Sequence, residues 1–417
     1  MEEAFGWKLI PYPEAMSRLE RIKPGPLTTE TVKVAEALGR VLGEDITAER
    51  NVPSTDLAFM DGYALRAEDT RAASPERPVS LKIVGRVFAG ETPSISISPG
   101  QAVKIAHYSL MPVGANTVAP IEIVKEVGGM VTMERPVREG MAILRAGGDL
   151  RKGTAILKRG RLLRPQDLAL LTDMGREEVR VVKKPRVVIL SVGDDIVKMA
   201  EKKTIEDVSG MAAIIAKLIQ DLGALPVMDT APDDLEILKN KLRTSAQRAD
   251  VVLTIGGLSV GEEDFVPQAL EAAGELAARG VALIPPWLST FGIVEGKPVV
   301  CLPARYIPLV GTFYCFAVPI LTALSSIEAG SLLPSIKARM SGERRAMPER
   351  YFFLPVSVKR TEGGFAAKSV FKGPHPVSSL VEANGYILIP AGAMIRDGDE
   401  VEVHLLSRMD LNNLMLS

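Results

Sequence analysis

Cysteine is nearly missing from this chain: the 417 residues hold two, Cys301 and Cys315, each set in apolar sequence. That excludes a disulfide framework and any cysteine-only zinc or iron–sulfur site, and a reducing cytoplasm is the expected setting. Histidine is as scarce, with His107, His375 and His404 far apart and at no metal-ligand spacing. Neither sign of charge is in excess: 50 Lys and Arg against 51 Asp and Glu leave a formal net charge of −1. This points away from a nucleic-acid partner and from a disordered acidic chain. No P-loop Gly-Lys-Ser/Thr or zinc-protease helix motif occurs. The first residues, MEEAFGWKLIPYPEA, lack the basic-then-apolar pattern of a secretory signal. One uncharged run is long, from Arg305 to Glu328, but Pro308, Gly311 and Pro319 interrupt it and Tyr, Ser and Thr are scattered through it. It is read as a helix buried against a sheet, and no membrane association is expected.

What is present divides by texture into several domains, since the chain is too long for one core. Residues 1–51 read as a helix-rich arm, with a short helix at Pro13-Glu14-Ala15 and a second from Thr28 to Leu42; residues 144–182 join this N-terminal and linker domain. Residues 52–143 alternate strand-like runs, such as Leu81 to Val84 and Ala102 to Ile105, with Gly and Pro clusters, the texture of a small β-rich domain. Residues 183–328 alternate strands with helices: strands at Arg186 to Leu190, Leu225 to Met228, Val281 to Ile284 and Val299 to Leu302, with Ser209 and Asp233 or Asp234 as helix caps. That order predicts a doubly wound α/β domain. Residues 329–417 return to β texture and are read as a separate C-terminal barrel or sandwich.

The stretch Ala249 to Asp264, ADVVLTIGGLSVGEED, concentrates the chemistry. Apolar β-formers end at Gly256-Gly257, where backbone can approach a ligand, and Ser259 stands three residues before Glu262, the capping-box spacing of a helix start. A strand, a glycine loop and a helix N-terminus suit an anion, and the following carboxylates suit a divalent metal on a phosphate. In open α/β sheets ligands bind beyond the carboxyl ends of the strands. A second acidic strand end, Asp194-Asp195, could share Mg²⁺ with this loop; the plainer reading of each is a solvated or capped turn. Asp61-Gly62, in the β-rich region, is a turn signal.

Taken together, the motifs resemble those of MoeA-type molybdopterin molybdenumtransferases, the family that includes the C-terminal domain of gephyrin. The pieces run through nearly the whole chain: Pro53 with Met60-Asp61-Gly62-Tyr63-Ala64, Ala89-Gly90, Pro112-x-Gly114-Ala115 with Glu122, and Gly147-Gly148-Asp149. They continue with Gly193-Asp194-Asp195, Asp233-Asp234, Gly256-Gly257-x-Ser259-x-Gly261-x-x-Asp264, Ser378-Ser379-Leu380 and Ala383-Asn384-Gly385. The resemblance implies a homodimer of multidomain subunits, with the molybdopterin-binding α/β domain completed by the partner's β-rich domain. It implies Mg²⁺-assisted insertion of molybdate into adenylylated molybdopterin, with release of AMP. By resemblance the catalytic carboxylates are Asp61, Asp195 and Asp264, and the metal-holding ones Asp195, Asp61 and Asp149. Gly256, Gly257, Ser259, Gly261, Asp233, Asp234, Pro303 and Arg305 would bind the pterin nucleotide.

The chain departs from the family pattern at named places. Asp195 stands where Glu is usual, and Ser209 where Asn is usual. His107-Tyr108-Ser109 replaces Thr-Gly-Ala, and Pro303-Ala304-Arg305-Tyr306 replaces Pro-Gly-Asn-Pro. These bulkier residues alter the expected pocket, and His107 and Arg305 could supply positive charge for anionic ligands. A binding protein without turnover, or a tungstate-inserting relative, are the competing expectations.

Overall fold

The computed structural model describes residues 8–205, 209–258, 265–327, 333–407, 409–411 and 414. Contacts divide the chain into two compact units, one of residues 1–44, 159–168 and 178–417, the other of 45–158 and 169–177.

In the larger unit, the strand Arg186–Val192 (β1) is buried from Val187 to Val192, as a strand covered on both faces must be. It pairs in parallel with Leu225–Ala231 (β2) and with Val251–Ile255 (β3). Beyond them, Glu275–Arg279 (β4), Thr290–Val294 (β5) and Lys297–Leu302 (β6) complete the sheet in the order β2-β1-β3-β6-β5-β4, with β5 and β4 antiparallel. The chain reverses its direction of winding between β1 and β3, so their carboxyl ends form a switch point.

Alternate residues feed two cores. Val187 and Ile189 meet Ala212, Ile215 and Ile219 of helix Gly210–Asp221 (α1) on one face, and Val188 and Leu190 meet Leu238 and Leu242 of Leu235–Arg248 (α2) on the other. Both helices start where a side chain satisfies a free N–H: Ser209 Oγ accepts from Ala212 at 3.2 Å, and Asp234 Oδ1 from Ile237 at 2.8 Å. The stretch Ser259 to Asp264 lies outside the described residues, and with it the expected capping-box start; the next described helix is Val266–Ala273 (α3). The uncharged run forms a 20-residue helix, Tyr306–Ser325 (α4), with a π turn at Phe313–Ala317. Its side chains Ile307, Leu309, Phe313, Phe316 and Ile320 sit in the first of the two cores.

After it, Ser335–Ser341 (β7), Tyr351–Thr361 (β8), Gly364–Ser369 (β9), Gly385–Ile389 (β10) and Glu400–Leu405 (β11) pair in the order β8-β9-β7-β11-β10. A further β8–β10 pairing closes the barrel. The architecture is therefore multidomain α/β and β, as expected.

Three local readings are corrected. Thr28 to Leu42 is not a helix: Thr29–Lys33 is a strand antiparallel to Glu178–Val182, followed by a 3₁₀ turn at Val34–Glu36. Thr29, Thr31 and Val32 are β-branched and favour the extended backbone that this pairing rewards. The strand expected at Val281 to Ile284 shrinks to Leu283–Ile284 and pairs in parallel with β8 of the barrel, outside the α/β sheet; Pro285 and Pro286 then end it. Asp61-Gly62 is not a free turn. Gly62 opens the strand Gly62–Leu65, and a Cβ there would lie 2.1 Å from the Ala119 carbonyl oxygen.

The smaller unit is built on a six-stranded sheet in the order Thr117–Pro120, Gly62–Leu65, Gln101–Ile105, Val79–Val87, Met130–Met133 and Val124–Val127. Tyr63, Leu65, Val131 and Met133 fill one face, and Ala64, Val103, Ile105 and Val118 the other.

Candidate ligand cavity at the switch point

Gly256 follows β3 where backbone crowding leaves no room for a side chain. Its φ is 101°, and a Cβ would stand 2.7 Å from the Val192 carbonyl oxygen at the end of β1. Its N–H donates to the Leu302 carbonyl at the end of β6, 3.2 Å away. Three strand ends are thus drawn together. A cavity of about 440 Å³ opens there, floored by Gly256, Gly257 and Leu258 and flanked by Pro303, Ala304 and Arg305. Its other walls are Ile284, Pro285, Trp287 and Leu288, with Met347, Arg350, Phe371 and Pro374 from the barrel region. The size suits a small organic ligand, and the mixture of apolar walls with a few polar groups is that of a binding site.

Among the residues expected to bind the ligand, Gly256, Gly257, Pro303 and Arg305 meet in this cavity. Ser259, Gly261 and Asp264 lie outside the described residues. The carboxylates after β1 and β2 are not in its lining. Instead Asp194 and Asp233 exchange hydrogen bonds, each N–H donating to the other's carboxylate at 3.2 Å. Asp234 is occupied as the cap of α2. Asp195 is exposed at the start of the short helix Asp194–Ala200.

In the smaller unit, Asp61 Oδ1 accepts from the backbone N–H of His107 at 3.0 Å. Tyr108, at the place where the resemblance has glycine, keeps a left-handed φ of 58°, and its ring meets that of His107 edge-on at 4.3 Å. Asp149 is exposed, and its N–H donates to the Val52 carbonyl at 3.1 Å. Among the described residues no three His, Cys, Asp or Glu side chains gather closely enough to enclose a metal ion. The two thiols are buried; burial pushes both Cys301 and Cys315 up to about 12, so neither is a ready nucleophile or ligand.

The second wall of the cavity was invisible to motif reading. Met347, Arg350 and Phe371 belong to none of the motifs, and only the fold brings them into one cavity with Arg305.

A doubly wound α/β sheet with a cavity at its switch point, joined to a closed barrel, defines a multidomain protein with a candidate small-ligand site. Residues 10–175 match the MoeA N-terminal region (domain I and II), 188–323 the family described as "Probable molybdopterin binding domain", and 337–406 the MoeA C-terminal region (domain IV). A crystal structure of the molybdopterin biosynthesis MoeA protein from Pyrococcus horikoshii is similar at 32% identity and TM-score 0.82, covering 96% of this chain and 100% of that one. The molybdopterin molybdenumtransferase of Haemophilus influenzae is 28% identical, with 90% of this chain and 93% of that protein aligned. That of Staphylococcus aureus is 26% identical, with 95% of each aligned. The chain belongs to the MoeA family of enzymes.

Proposed function

We propose that the chain acts in molybdenum cofactor biosynthesis, inserting molybdate into adenylylated molybdopterin with Mg²⁺ and releasing AMP. The observation that carries this reading is the cavity at the switch point, where Gly256 brings backbone to the ligand and Arg305 stands at the rim. The relatives named as molybdopterin molybdenumtransferases support it. The buried, neutral thiols suit a reaction in which the pterin dithiolene, and no protein cysteine, receives the metal.

Mg²⁺ is bound by one or two carboxylates plus substrate oxygens more often than by an all-protein cage. An exposed Asp195 at a strand's carboxyl end fits that role, and the described residues offer no closed cage. When bound, the ion would offset charge on the phosphates. Asp61, Asp149 and Asp264 are the other carboxylates of the proposal. Within the chain itself, Gly256 and Gly257 admit the ligand, Pro303 shapes the rim, and the Asp194–Asp233 exchange fixes two of the loops. Asp234 acts through α2, as its cap. A homodimer and a cytoplasmic setting belong to the same proposal; sedimentation of the purified chain and cell fractionation test them.

The direct test is AMP release from adenylylated molybdopterin with molybdate and Mg²⁺. Binding without release favours a molybdopterin-nucleotide binding protein, a reading supported by the bulk introduced at Tyr108 and Arg305. Competition between molybdate and tungstate in that assay separates the remaining alternative.

A further inference from the structure

Charge on the outer face of the barrel is sorted by strand. Met340 of β7, Val358 of β8 and Ala367 of β9 fill the barrel core, so the residues alternating with them face outward. Strand register sets these outward residues in two rows. Arg339 pairs with Ala366 and Ala366 with Lys359, while Ser341 pairs with Lys368 and Lys368 with Ser357. Neighbouring strands lie about 4.8 Å apart, and alternate residues about 6.7 Å apart along a strand. The backbones of Arg339, Lys359 and Lys368 therefore mark a triangle about 10 Å or less on a side, with the methyl group of Ala366 among them. All three cations are exposed.

The carboxylates of the neighbouring strand β11 are already engaged. Lys337 pairs with Glu400 at 2.8 Å, and Ser335 Oγ donates to Glu402 at 2.7 Å. Arg339 donates to the Gly398 carbonyl at 3.3 Å and, after Lys337, helps to hold the Glu400 carboxyl below its ordinary value. Lys359 and Lys368 have no such company. Among the described residues neither makes an ion pair or a side-chain hydrogen bond, and the hydroxyls of Ser341 and Ser357 are likewise unpartnered. The two rows thus present three cations and two hydroxyls with no carboxylate between them, and like charges this close repel one another. An open face without a cavity suits an extended chain better than an enclosed small molecule. Carboxylates on alternate residues of an extended segment repeat every 6.7 Å or so, the step from Ala366 to Lys368. One exposed ion pair contributes little, so such a segment gains from meeting several cations at once.

We propose that this face of the barrel is a docking surface for a protein partner that presents an extended acidic segment, its carboxylates meeting Arg339, Lys359 and Lys368. None of the three lines the cavity at the switch point, so the surface stands independently of the activity assigned there.

The probe is a fluorescein-labelled hexaglutamate peptide titrated with full-length protein at low salt and followed by anisotropy. Binding should weaken as salt is added. Lys359→Glu/Lys368→Glu should weaken it roughly tenfold or more, and Lys359→Arg/Lys368→Arg should retain it. Ala366→Glu, which sets a carboxylate among the cations without removing one, should weaken it as well. Lys183→Glu/Lys184→Glu makes the same change of charge at exposed positions elsewhere in the unit and should leave binding as it was. Unchanged affinity in Lys359→Glu/Lys368→Glu overturns the proposal. Equal losses in the two double glutamate variants overturn it too, since the attraction then belongs to net charge and not to this face. Tighter binding of a single-stranded oligonucleotide or of phosphatidylserine vesicles than of the peptide, lost in Lys359→Glu/Lys368→Glu, gives the face to another class of partner and equally overturns it.

Discussion

Asp194 and Asp233 cap each other across two loops, the N–H of each donating to the other's carboxylate at 3.2 Å. With the bond from the Gly193 N–H to the Ala231 carbonyl at 3.0 Å, this fastens the ends of β1 and β2 beside the switch point. Asp233→Ala removes one acceptor and leaves the Asp194 N–H without it. The expected loss is about 1 kcal/mol in urea unfolding, with faster amide exchange at Asp194. Asp233→Asn keeps an acceptor oxygen and should lose less. Equal losses for the two would contradict the pairing.

Tyr108 holds a backbone conformation that suits glycine, with φ 58°. The residue is 53% exposed, so little packing is at stake. Tyr108→Gly should be neutral or stabilising, whereas β-branched Tyr108→Val should cost more than about 1 kcal/mol. A glycine variant less stable than the valine variant would show that the ring's contact with His107 outweighs the backbone strain.

Gly256→Ala places a methyl 2.7 Å from the Val192 carbonyl at a φ of 101°. Relief requires moving the end of β3 away from β1. A loss of about 2 kcal/mol or more is expected, together with weakened AMP binding in the cavity. Unchanged stability and affinity would mean that the loop is not held as described.

Asp167 gives a pH signature. Burial alone would push its carboxyl up, but hydrogen bonds from Arg161, from the Arg164 side chain and from the Arg164 N–H outweigh it and lower it from 3.8 to about 2. A carboxylate lowered in the folded state contributes stability above its unfolded value near 4, and that contribution is lost as pH falls toward 2. Arg164 is 57% exposed, so solvent screening leaves roughly 1–2 kcal/mol at neutral pH. Asp167→Asn should lose that amount at pH 7 and flatten the stability curve between pH 4 and 2. An unchanged acid limb would contradict the assignment.

The α/β region was legible because its signals are local. Ser209 and Asp234 cap helices by reaching three residues ahead, and the apolar run Val251 to Leu253 declares a strand buried on both faces. Where partners are remote, the sequence misleads. Thr29–Lys33 becomes a strand only because Glu178–Val182 lies beside it, and Leu283–Ile284 joins the barrel only through Tyr351 and Phe352. The same holds at the cavity. Gly256, Gly257 and Pro303 announced themselves in motifs, but Arg350 and Phe371 are brought there by a barrel whose closure has no local signature.

Turnover tests the proposed transferase activity most directly. Purified full-length chain, given adenylylated molybdopterin, molybdate and Mg²⁺, should release AMP in step with molybdenum bound to the pterin, and release should fall sharply in Gly256→Ala. Retention of intact adenylylated pterin, with no AMP and no metal inserted under the same conditions, would contradict it.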